Sequence, residues 1–287
     1  MKPTGSKTSI LNFFRVLLRN KLAEAVLVPL TTNKRWTHWL ARIPANYYQY
    51  PKGSIRNVTR EGFALRLDIS DYMQWLLYFG IETEPRQALY ELIQPGMNIL
   101  DVGANIGETS LMFSRLTGKN GQVFAFEPDP DTFAHLKEHL SINHVDNVNP
   151  IQFALGDVPG TFFLGHNANN TAGNRISDEH GKEITVTTAD QFVPGLHLAH
   201  IHFIKIDIEG FEVRMLKGAK DTIEKYKPMM FIEAVNEFLK LQGSSTAELL
   251  RLLESMNYKS INAYNGMPVN SGMSFTNTHF DIIAKPE

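Results

Sequence analysis

The sequence predicts an α/β fold built on a parallel sheet, because apolar runs of strand length alternate with helical patterns from Asn98 onwards. A second observation is the Gly-x-x-x-Gly turn, Gly103 to Gly107, that joins the first of these runs to a helix. A third is the acidic residue that ends successive runs, as Asp101 and Glu127 do. Open α/β sheets bind ligands at the carboxyl ends of their strands, so these acids predict a site at that edge.

The composition is that of a globular protein of 287 residues, with 43% hydrophobic residues and a net charge of −2. This length is enough for one large α/β domain and an extension. The small net charge gives no general basic field, and we expect no nucleic-acid partner. Because the chain has no cysteine, disulfides, thiol catalysis and Cys-ligated zinc are excluded. We expect a cytoplasmic protein, since no apolar run has the length of a transmembrane helix and no signal peptide is evident.

The chain divides into an N-terminal helical extension, residues 1–54, and a main domain, residues 55–287, whose core sheet begins near residue 97. Apolar residues recur at helical spacing over residues 9–30, and Pro29 marks the expected end of that helix. Two interpretations of this helix stay open. We favour a packing or dimer helix, because its cations are few, over a basic amphipathic helix that contacts a membrane surface.

The segment between this helix and the core sheet is rich in aromatic residues from Lys34 to Pro51. These side chains either pack the extension against the main domain or form a stacking surface for a sugar. A small hairpin is predicted at residues 55–67, with its turn at Glu61-Gly62, and helices are predicted at residues 71–79 and 83–93.

The main sheet is predicted from alternating strand and helix patterns. Its strands are expected at residues 98–102, 122–127, 149–154, 201–207, 229–233, 258–263 and 280–284. Helices are expected at residues 109–116, 129–141, 211–217 and 249–256, the last behind a capping box at Ser245. An antiparallel pair, 161–166 with 183–187, is predicted as an insertion whose connecting loop, 167–181, is mobile.

The loop from Asn98 to Ser110 indicates a cofactor site. Its spacing departs from the dinucleotide pattern, because Asn105 and Glu108 stand where the second and third glycines belong. Glu108 also occupies the place of the P-loop lysine, and Asp101 would repel a diphosphate. The loop therefore suits a cofactor with a cationic amino-acid end and a ribose, such as S-adenosylmethionine. The alternative is a tight strand–helix turn with a purely structural role.

Acidic residues follow the later strands as well. Glu127 can accept hydrogen bonds from both hydroxyls of a ribose. Asp157 either accepts from an adenine amino group or belongs to a simple turn. Asp207 and Glu209 lie two residues apart at the end of one strand, and Glu233 ends the next. These three carboxylates could orient an acceptor hydroxyl, take its proton or hold a divalent cation.

Two neighbours of these acids have simpler interpretations. Lys205 is expected to form a structural ion pair, and Glu212 to stabilise the first turn of a helix. No His-x-x-x-His or Glu-x-x-His pattern supports a transition-metal site. The scattered histidines are interpreted mainly as surface or packing residues, with a second interpretation open for His166, His180 and His279, which lie in regions that could border a substrate.

Four motifs occur in a characteristic order: Asp-Val-Gly-Ala-Asn-Ile-Gly at 101–107, Phe-Glu-Pro at 126–128, Ala-Leu-Gly-Asp at 154–157 and Lys-Ile-Asp-Ile-Glu-Gly-x-Glu at 205–212. Together they resemble the FkbM family of S-adenosylmethionine-dependent methyltransferases, over about residues 55–285. The resemblance implies a class I methyltransferase, with a Rossmann-like seven-stranded sheet, its last strand antiparallel, and helices on both faces. It also implies O-methylation, usually of a sugar, a polyketide or another secondary metabolite.

The resemblance also implies a function for each motif residue. The methionine end of the cofactor would be lined by Asp101, Gly103, Asn105 and Gly107, with Thr109 or Ser110 nearby. Glu127 would hold the ribose, and Asp157, with Ala154 at the edge, would meet the adenine. The acceptor would face Asp207, Glu209 and Glu233, with a base and a divalent-metal interpretation both open.

The expected reaction is a direct displacement on a small-molecule or glycan acceptor, in which a carboxylate orients the hydroxyl or removes its proton. The aromatic extension and the loop 167–181 are expected to cover the substrate, and a homo-oligomer stays open. Two rival hypotheses remain: an NAD-dependent oxidoreductase, against which the missing central glycine argues, and a non-catalytic binding module.

Overall fold

The computed structural model describes residues 10–82, 86–165, 173–177, 180–276 and 278–286. Its described residues divide into two compact units, the first ending at Arg86 and the second beginning at Gln87. The sequence placed the boundary after residue 54 instead. The boundary between the compact units lies after the predicted one, because the hairpin and the helix that follow residue 54 belong to the first unit. The limits of the methyltransferase domain as a functional entity stay a prediction.

The first unit contains short helices, a hairpin and a small parallel pair. Its elements are α1 (Ile10–Val16), α2 (Lys21–Thr31), β1 (Lys34–Arg35), 3-10 turns at Trp39–Arg42 and Tyr47–Gln49, β2 (Ile55–Arg60), β3 (Phe63–Asp68), α3 (Tyr72–Phe79) and β4 (Ile81–Glu82). The predicted hairpin is confirmed as antiparallel β2–β3. Its turn residues Glu61 and Gly62 have φ of +50° and +81°, the left-handed backbone that tight two-residue hairpins require.

The predicted single helix over residues 9–30 is wrong, because the described part of it forms two helices. Asn20 begins α2: its side chain accepts a hydrogen bond from the Ala23 amide at 2.9 Å. Pro29 lies inside α2 and does not end it. Proline has no backbone N–H, so the helix lacks the hydrogen bond that this position would otherwise donate to the preceding turn.

Residues before and after position 54 pack together inside the first unit. Glu24 is 1% exposed, and its carboxylate accepts hydrogen bonds from Arg56 at 2.6 and 2.9 Å and from the Tyr78 hydroxyl at 3.3 Å. The indole of Trp75 donates to the Ala45 carbonyl oxygen at 2.8 Å. These buried polar contacts explain why the unit extends past the predicted boundary.

The second unit carries the main sheet and its helices. Its first elements are α4 (Gln87–Tyr90), β5 (Asn98–Val102), α5 (Glu108–Thr117), β6 (Gln122–Phe126), α6 (Pro130–Ile142), β7 (Val148–Ile151), β8 (Ala154–Leu155), β9 (Gly160–Gly165), β10 (Arg175–Ser177), β11 (Lys182–Thr187) and α7 (Ala189–Phe192). There follow β12 (Phe203–Ile206), α8 (Glu212–Lys217), α9 (Lys220–Tyr226), β13 (Met229–Val235), α10 (Asn236–Leu241), α11 (Thr246–Ser255), β14 (Ser260–Ala263) and β15 (His279–Lys285).

The main sheet has seven strands in the order β14-β15-β13-β12-β5-β6-β7. All neighbours are parallel except β15, which runs antiparallel to both β13 and β14. Every residue of β12 is buried, as are residues 99–102 of β5, so both faces of the central sheet are covered. The predicted fold class, a class I methyltransferase sheet with an antiparallel last strand, is confirmed.

A second sheet, of order β10-β9-β11-β8, departs in part from the prediction. The inserted antiparallel pair is confirmed as β9 and β11. The predicted strand 149–154 divides into β7 and β8, because β8 leaves the main sheet and pairs with β11. Residues 175–177 of the predicted mobile loop form β10 instead. Residues 167–172 and 178–179 of that loop lie outside the described residues.

The observed helix bounds agree with the predicted ones where a side chain caps the helix. Ser245 caps α11 by accepting from the Glu248 amide at 3.2 Å. The predicted helix 83–93 is reduced to α4, with residues 83–85 outside the described ranges. The helices α9 and α10 were not predicted. Across the described segments, no helix combines the length and apolar character needed to cross a membrane.

Candidate active site

The loop after β5 is shaped by backbone that a side chain would obstruct. Gly103 has φ of +83°, and a Cβ placed there would lie 1.9 Å from the Asp207 carbonyl oxygen. Gly107 has φ of +91°, and its Cβ would lie 2.5 Å from Leu136 Cδ1. Both glycines are therefore required by conformation and by space. The close approach at Gly103 also brings the loop after β5 against the chain that follows β12.

Asp101 ties the end of β5 to the start of α5. The residue is fully buried, and its Oδ2 accepts hydrogen bonds from the Thr109 hydroxyl at 2.9 Å and the Ser110 hydroxyl at 2.6 Å. Lys205 Nζ lies 3.5 Å from the other oxygen. These contacts hold the two ends of the glycine loop together, and the predicted contact of these residues with the methionine end stays a prediction.

Glu127, at the end of β6, joins two loops at the same edge. Its carboxylate accepts from the Asn105 amide at 3.0 Å and from the Asp129 amide at 2.9 Å. Burial raises the pKa of Glu127 to about 7, although both amide hydrogen bonds oppose that rise. Each carboxylate oxygen can accept a second hydrogen bond, so the predicted contact with a ribose is compatible with these partners.

The chain after β8 provides Asp157, whose Oδ1 accepts from Arg214 Nε at 2.8 Å. The Arg214 guanidinium in turn lies 4.5 Å from the centroid of the Phe211 ring. Ala154 is buried in β8. The structure thus adds a cation and an aromatic ring beside Asp157, and the assignment of Ala154 and Asp157 to adenine stays a prediction.

Lys205 is a buried cation that links the strands β5 and β12. Its ammonium donates to the Gly103 carbonyl oxygen at 2.8 Å and lies 3.3 Å from Asp207 Oδ2, besides the contact with Asp101. The predicted structural ion pair is confirmed. Lys205 therefore fixes the relative positions of the glycine loop and the acid that follows β12.

Three carboxyl groups meet at the ends of β12 and β13. Ile206 is paired with Ile232, which brings Asp207 and Glu233 to the same edge of the sheet. Glu209 adopts φ of +56° in the turn that follows β12. Burial, followed by the charges of Glu233 and Asp207, raises the pKa of Glu209 to about 9.

The pKa of Glu233 is raised as well. Burial and then the charge of Asp207 raise its pKa to about 8, against the opposing influence of His279. At neutral pH both glutamates are thus mainly protonated and can donate hydrogen bonds. The structure brings Asp207, Glu209 and Glu233 together, and their catalytic function stays a prediction.

Sequence reasoning did not connect two neighbours with these acids. His279 on β15 places Nε2 3.1 Å from Glu233 Oε1, so its interpretation as a surface or packing residue is incomplete. Arg175 on β10 places a guanidinium nitrogen 3.7 Å from Glu209 Oε2 and stacks 3.9 Å from the Phe238 ring centroid. Both come from distant segments, and no local pattern marks them.

Two further residues hold the loops of the site. Glu212 Oε1 accepts from the amides of Ile208 and Gly210 at 3.2 and 3.0 Å, so it fixes the turn that carries Glu209. Glu212 thus lies in the first turn of a helix, as expected, and also holds the preceding turn. His139, buried on α6, donates from Nδ1 to the Ile106 carbonyl oxygen at 2.8 Å and supports the glycine loop from below.

The divalent-metal interpretation was tested against the side chains present. In the part of the chain that the structure describes, no group of three or more histidine, aspartate or glutamate residues is arranged to hold a metal ion. The acids at β12 and β13 are instead associated with Lys205, Arg175 and His279.

Comparisons with known proteins agree with this architecture. The sequence profile of the methyltransferase FkbM domain matches residues 101–260. The hexuronic acid methyltransferase AglP of Haloferax volcanii is 32% identical over 127 residues, which cover 43% of this chain and 50% of that protein. Methyltransferase 1 of Beauveria bassiana is 25% identical over 146 residues, covering 43% of this chain and 58% of that protein. The chain thus spans about half the length of these curated relatives.

Solved structures give similar matches. The methyltransferase FkbM of Methylobacillus flagellatus KT has a TM-score of 0.44 and 20% identity, covering 75% of this chain and 55% of that chain. SMU.1697c of Streptococcus mutans, solved in complex with SAH, has a TM-score of 0.44 and 12% identity, covering 71% of this chain and 98% of that chain. Because the family profile matches more than half of its length, the chain belongs to the FkbM family of S-adenosylmethionine-dependent methyltransferases, as its four motifs predicted.

Proposed function

We propose that this chain transfers the methyl group of S-adenosylmethionine to a hydroxyl oxygen of a sugar or glycan. The observation that carries the proposal is the group of carboxyl side chains of Asp207, Glu209 and Glu233, held directly beside the glycine loop by the approach of Gly103 to Asp207. A sugar presents many hydroxyls that both donate and accept hydrogen bonds, and carboxyl groups in mixed protonation states match that chemistry.

The residues at the ends of β5, β6 and β8 fit the cofactor. They offer carboxylates and closely approached backbone, which suit an ammonium group and ribose hydroxyls better than a phosphate chain. Lys205, the cation at this edge, is committed to Gly103, Asp101 and Asp207. The residues that would hold the cofactor are Asp101, Gly103, Asn105, Gly107, Thr109, Ser110, Glu127, Ala154 and Asp157.

The protein's own contribution is to position the acceptor and manage its proton. When bound, S-adenosylmethionine supplies a methyl group that is already activated for displacement. Asp207, half-exposed and paired with Lys205, orients the acceptor hydroxyl and receives its proton as the new bond forms. A sugar hydroxyl is far less acidic than a carboxylic acid, so proton loss accompanies or follows the transfer.

Glu209 and Glu233 serve as hydrogen-bond donors toward neighbouring oxygen atoms of the acceptor. Their pKa values, raised to about 9 and about 8, keep them protonated at neutral pH. Of the two, Glu233 is also within reach of His279, which could relay a proton toward solvent.

Acidic sugars are the acceptors that we favour. The relative AglP is named a hexuronic acid methyltransferase, which supports a sugar acceptor. In this chain, the guanidinium of Arg175 lies at the border of the acidic group and could pair with an acceptor carboxylate. Arg175 would then distinguish a uronic acid from the corresponding neutral hexose.

The test is a methyl-transfer assay with isotopically labelled S-adenosylmethionine and matched pairs of hexuronic acids and neutral hexoses, free and as glycosides. We expect a methyl ether on a sugar hydroxyl, identified by mass spectrometry and NMR, with the uronic acid preferred and the preference reduced in Arg175→Gln. Transfer to amines only, or cofactor binding without transfer to any sugar, would contradict the proposal. Unchanged cellular activity of Asp207→Ala and Glu233→Ala would favour the non-catalytic module.

A further inference from the structure

The helix α2 exposes a row of apolar side chains and buries two polar ones. Leu22, Val26 and Leu30 recur one turn apart and are 84%, 61% and 45% exposed. On the opposite side, Glu24 and Thr31 are buried beside Leu27, and Glu24 is paired with Arg56. A surface helix of a globular protein normally has the reverse arrangement, with its apolar stripe facing the core.

The helix α1 and the turn after it repeat the inversion. Phe13, Phe14 and Leu17 are 74%, 59% and 68% exposed. Asn12 is buried and donates to the Tyr48 hydroxyl at 3.0 Å. We call the six exposed residues the N-terminal apolar face: Phe13, Phe14, Leu17, Leu22, Val26 and Leu30. Single exposed apolar residues are ordinary, whereas a group that covers two consecutive helices indicates a binding surface.

Charge is distributed very unevenly between this region and the rest of the chain. Nine of the first 54 residues are lysine or arginine and one, Glu24, is acidic. Since the whole chain has a net charge of −2, residues 55–287 carry about −10 in formal charge. Of the nine cations, Lys2 and Lys7 lie outside the described residues, and Lys21 is exposed at the start of α2. Further exposed cations of this region are Arg19, Arg35, Arg42 and Lys52.

We infer that the N-terminal apolar face docks on the surface of an anionic lipid bilayer. Apolar side chains beside an excess of cations match the acyl boundary and the charged headgroups of such a surface. The 11 residues of α2 extend roughly 16 Å, about half the thickness of the hydrocarbon layer, so the helix lies in the interface and does not span it. The inference is independent of the proposed acceptor.

Charge decides between a bilayer and a second copy of the chain. A two-fold dimer through this face would bring two basic surfaces together, which costs electrostatic free energy. An anionic bilayer gains free energy from the same cations. Exposed Trp39, in the same basic region at 67%, has the amphipathic ring that favours membrane–water interfaces.

The experiment measures sedimentation of the full chain with phosphatidylcholine vesicles, with or without phosphatidylglycerol, at low and high salt. We expect binding to the anionic vesicles, weakened by salt. The double variant Leu22→Gln, Val26→Gln should bind them at least about tenfold more weakly, because two apolar side chains lose their burial in the interface. Its cofactor affinity and its transfer to a water-soluble acceptor should be unchanged.

The matched control is Leu241→Gln, which replaces a leucine 69% exposed in the second unit and should bind like the unaltered chain. The inference would be overturned if the double variant bound anionic vesicles as strongly as the unaltered chain, or if the unaltered chain did not bind them. Equal binding to both kinds of vesicle would overturn the choice of an anionic surface. A dimer in analytical ultracentrifugation that the double variant dissociates, without vesicle binding, would identify a second copy as the occupant.

Discussion

Two sets of acids lie at the same edge of the sheet and differ in how they are bonded. After β5 and β6, Asp101 and Glu127 each accept two hydrogen bonds from hydroxyls or backbone amides of neighbouring loops. After β12 and β13, Glu209 lies 3.7 Å from the Arg175 guanidinium, and Glu233 lies 3.1 Å from the His279 ring nitrogen. No described residue donates a hydrogen bond to Glu209 Oε2.

The difference shows that the same residue type serves two purposes in one crevice. Carboxylates that accept hydrogen bonds from two fixed donors shape the loops that would hold the cofactor. Glu209 and Glu233 have fewer fixed donors, and their pKa values are raised further than that of Glu127, so they retain the capacity to bind and exchange protons with an acceptor. Removing an acid from the first set should therefore affect binding and folding, and removing one from the second should affect turnover.

The largest effect is expected for Asp207→Asn. The amide cannot take the acceptor proton, so kcat for methyl transfer should fall about 10²–10⁴-fold. Cofactor affinity, measured by calorimetry, should change little because Asp207 belongs to the acceptor side. Asp146→Asn, on an exposed loop before β7 at the opposite edge of the sheet, is the control that should keep full activity. A parallel loss of cofactor binding in Asp207→Asn would erase the distinction between the two sets.

Gly103→Ala should cause the next largest effect, on both stability and cofactor affinity. Its Cβ would lie 1.9 Å from the Asp207 carbonyl oxygen, so the loop must move. Gly118→Ala is a matched control, since Gly118 also has positive φ, +66°, but nothing lies within 4 Å of its Cβ. We expect the free energy of unfolding in urea to fall by about 1 kcal/mol in the control and by about 3 kcal/mol or more in Gly103→Ala. Equal losses would show that the close approach is unimportant.

Glu127→Gln tests the first set of acids, those after β5 and β6. The amide retains one acceptor oxygen, so one of the amides of Asn105 and Asp129 loses its partner, at a cost of about 1–3 kcal/mol. KM for S-adenosylmethionine should rise while kcat stays nearly constant. Glu127→Asp keeps a carboxylate, but its side chain is one methylene too short to accept from both amides, so it should show the same defect. A selective fall in kcat would instead assign Glu127 to the chemistry.

The smallest effect concerns pH and the second set. Burial and neighbouring negative charges raise the pKa of Glu209 from its ordinary 4.5 to about 9. Between these values the folded protein binds more protons than the unfolded chain, so the free energy of unfolding falls as pH rises. Glu209→Gln removes this titration, and its thermal midpoint should exceed that of the unaltered protein by a few degrees near about pH 9 and match it near about pH 5. Parallel pH profiles would contradict the raised pKa.

Local signals predicted the glycine loop and the strands around it well. The β5 range and the hairpin were obtained from periodicity and turn chemistry, because these depend on residues close together in the chain. The break at Asn20 shows the limit of periodicity, since the apolar spacing continues through a residue whose side chain begins a new helix. The capping side chain of Asn20 therefore decided the helix boundary, although the apolar periodicity predicted one continuous helix.

The neighbours of the acceptor acids could not be predicted in this way. His279 lies 46 residues after Glu233, and Arg175 belongs to a strand in a separate sheet. His279 reaches Glu233 because β15 pairs with β13, whereas Arg175 comes from the other sheet and meets Glu209 through tertiary packing. The inverted faces of α1 and α2 were equally hidden, because periodicity identifies an apolar stripe but not the direction in which it points.

By itself, the sequence determined the seven strands of the main sheet in outline, the conformation of the glycine loop and the family, because motifs and local backbone preferences depend on neighbouring residues. Only the tertiary structure decided that β15 pairs between β13 and β14, that the pKa values of Glu209 and Glu233 are raised, and that α2 buries Glu24 while exposing Leu22. Burial and charge proximity arise when distant segments pack, and these two quantities set protonation and exposure.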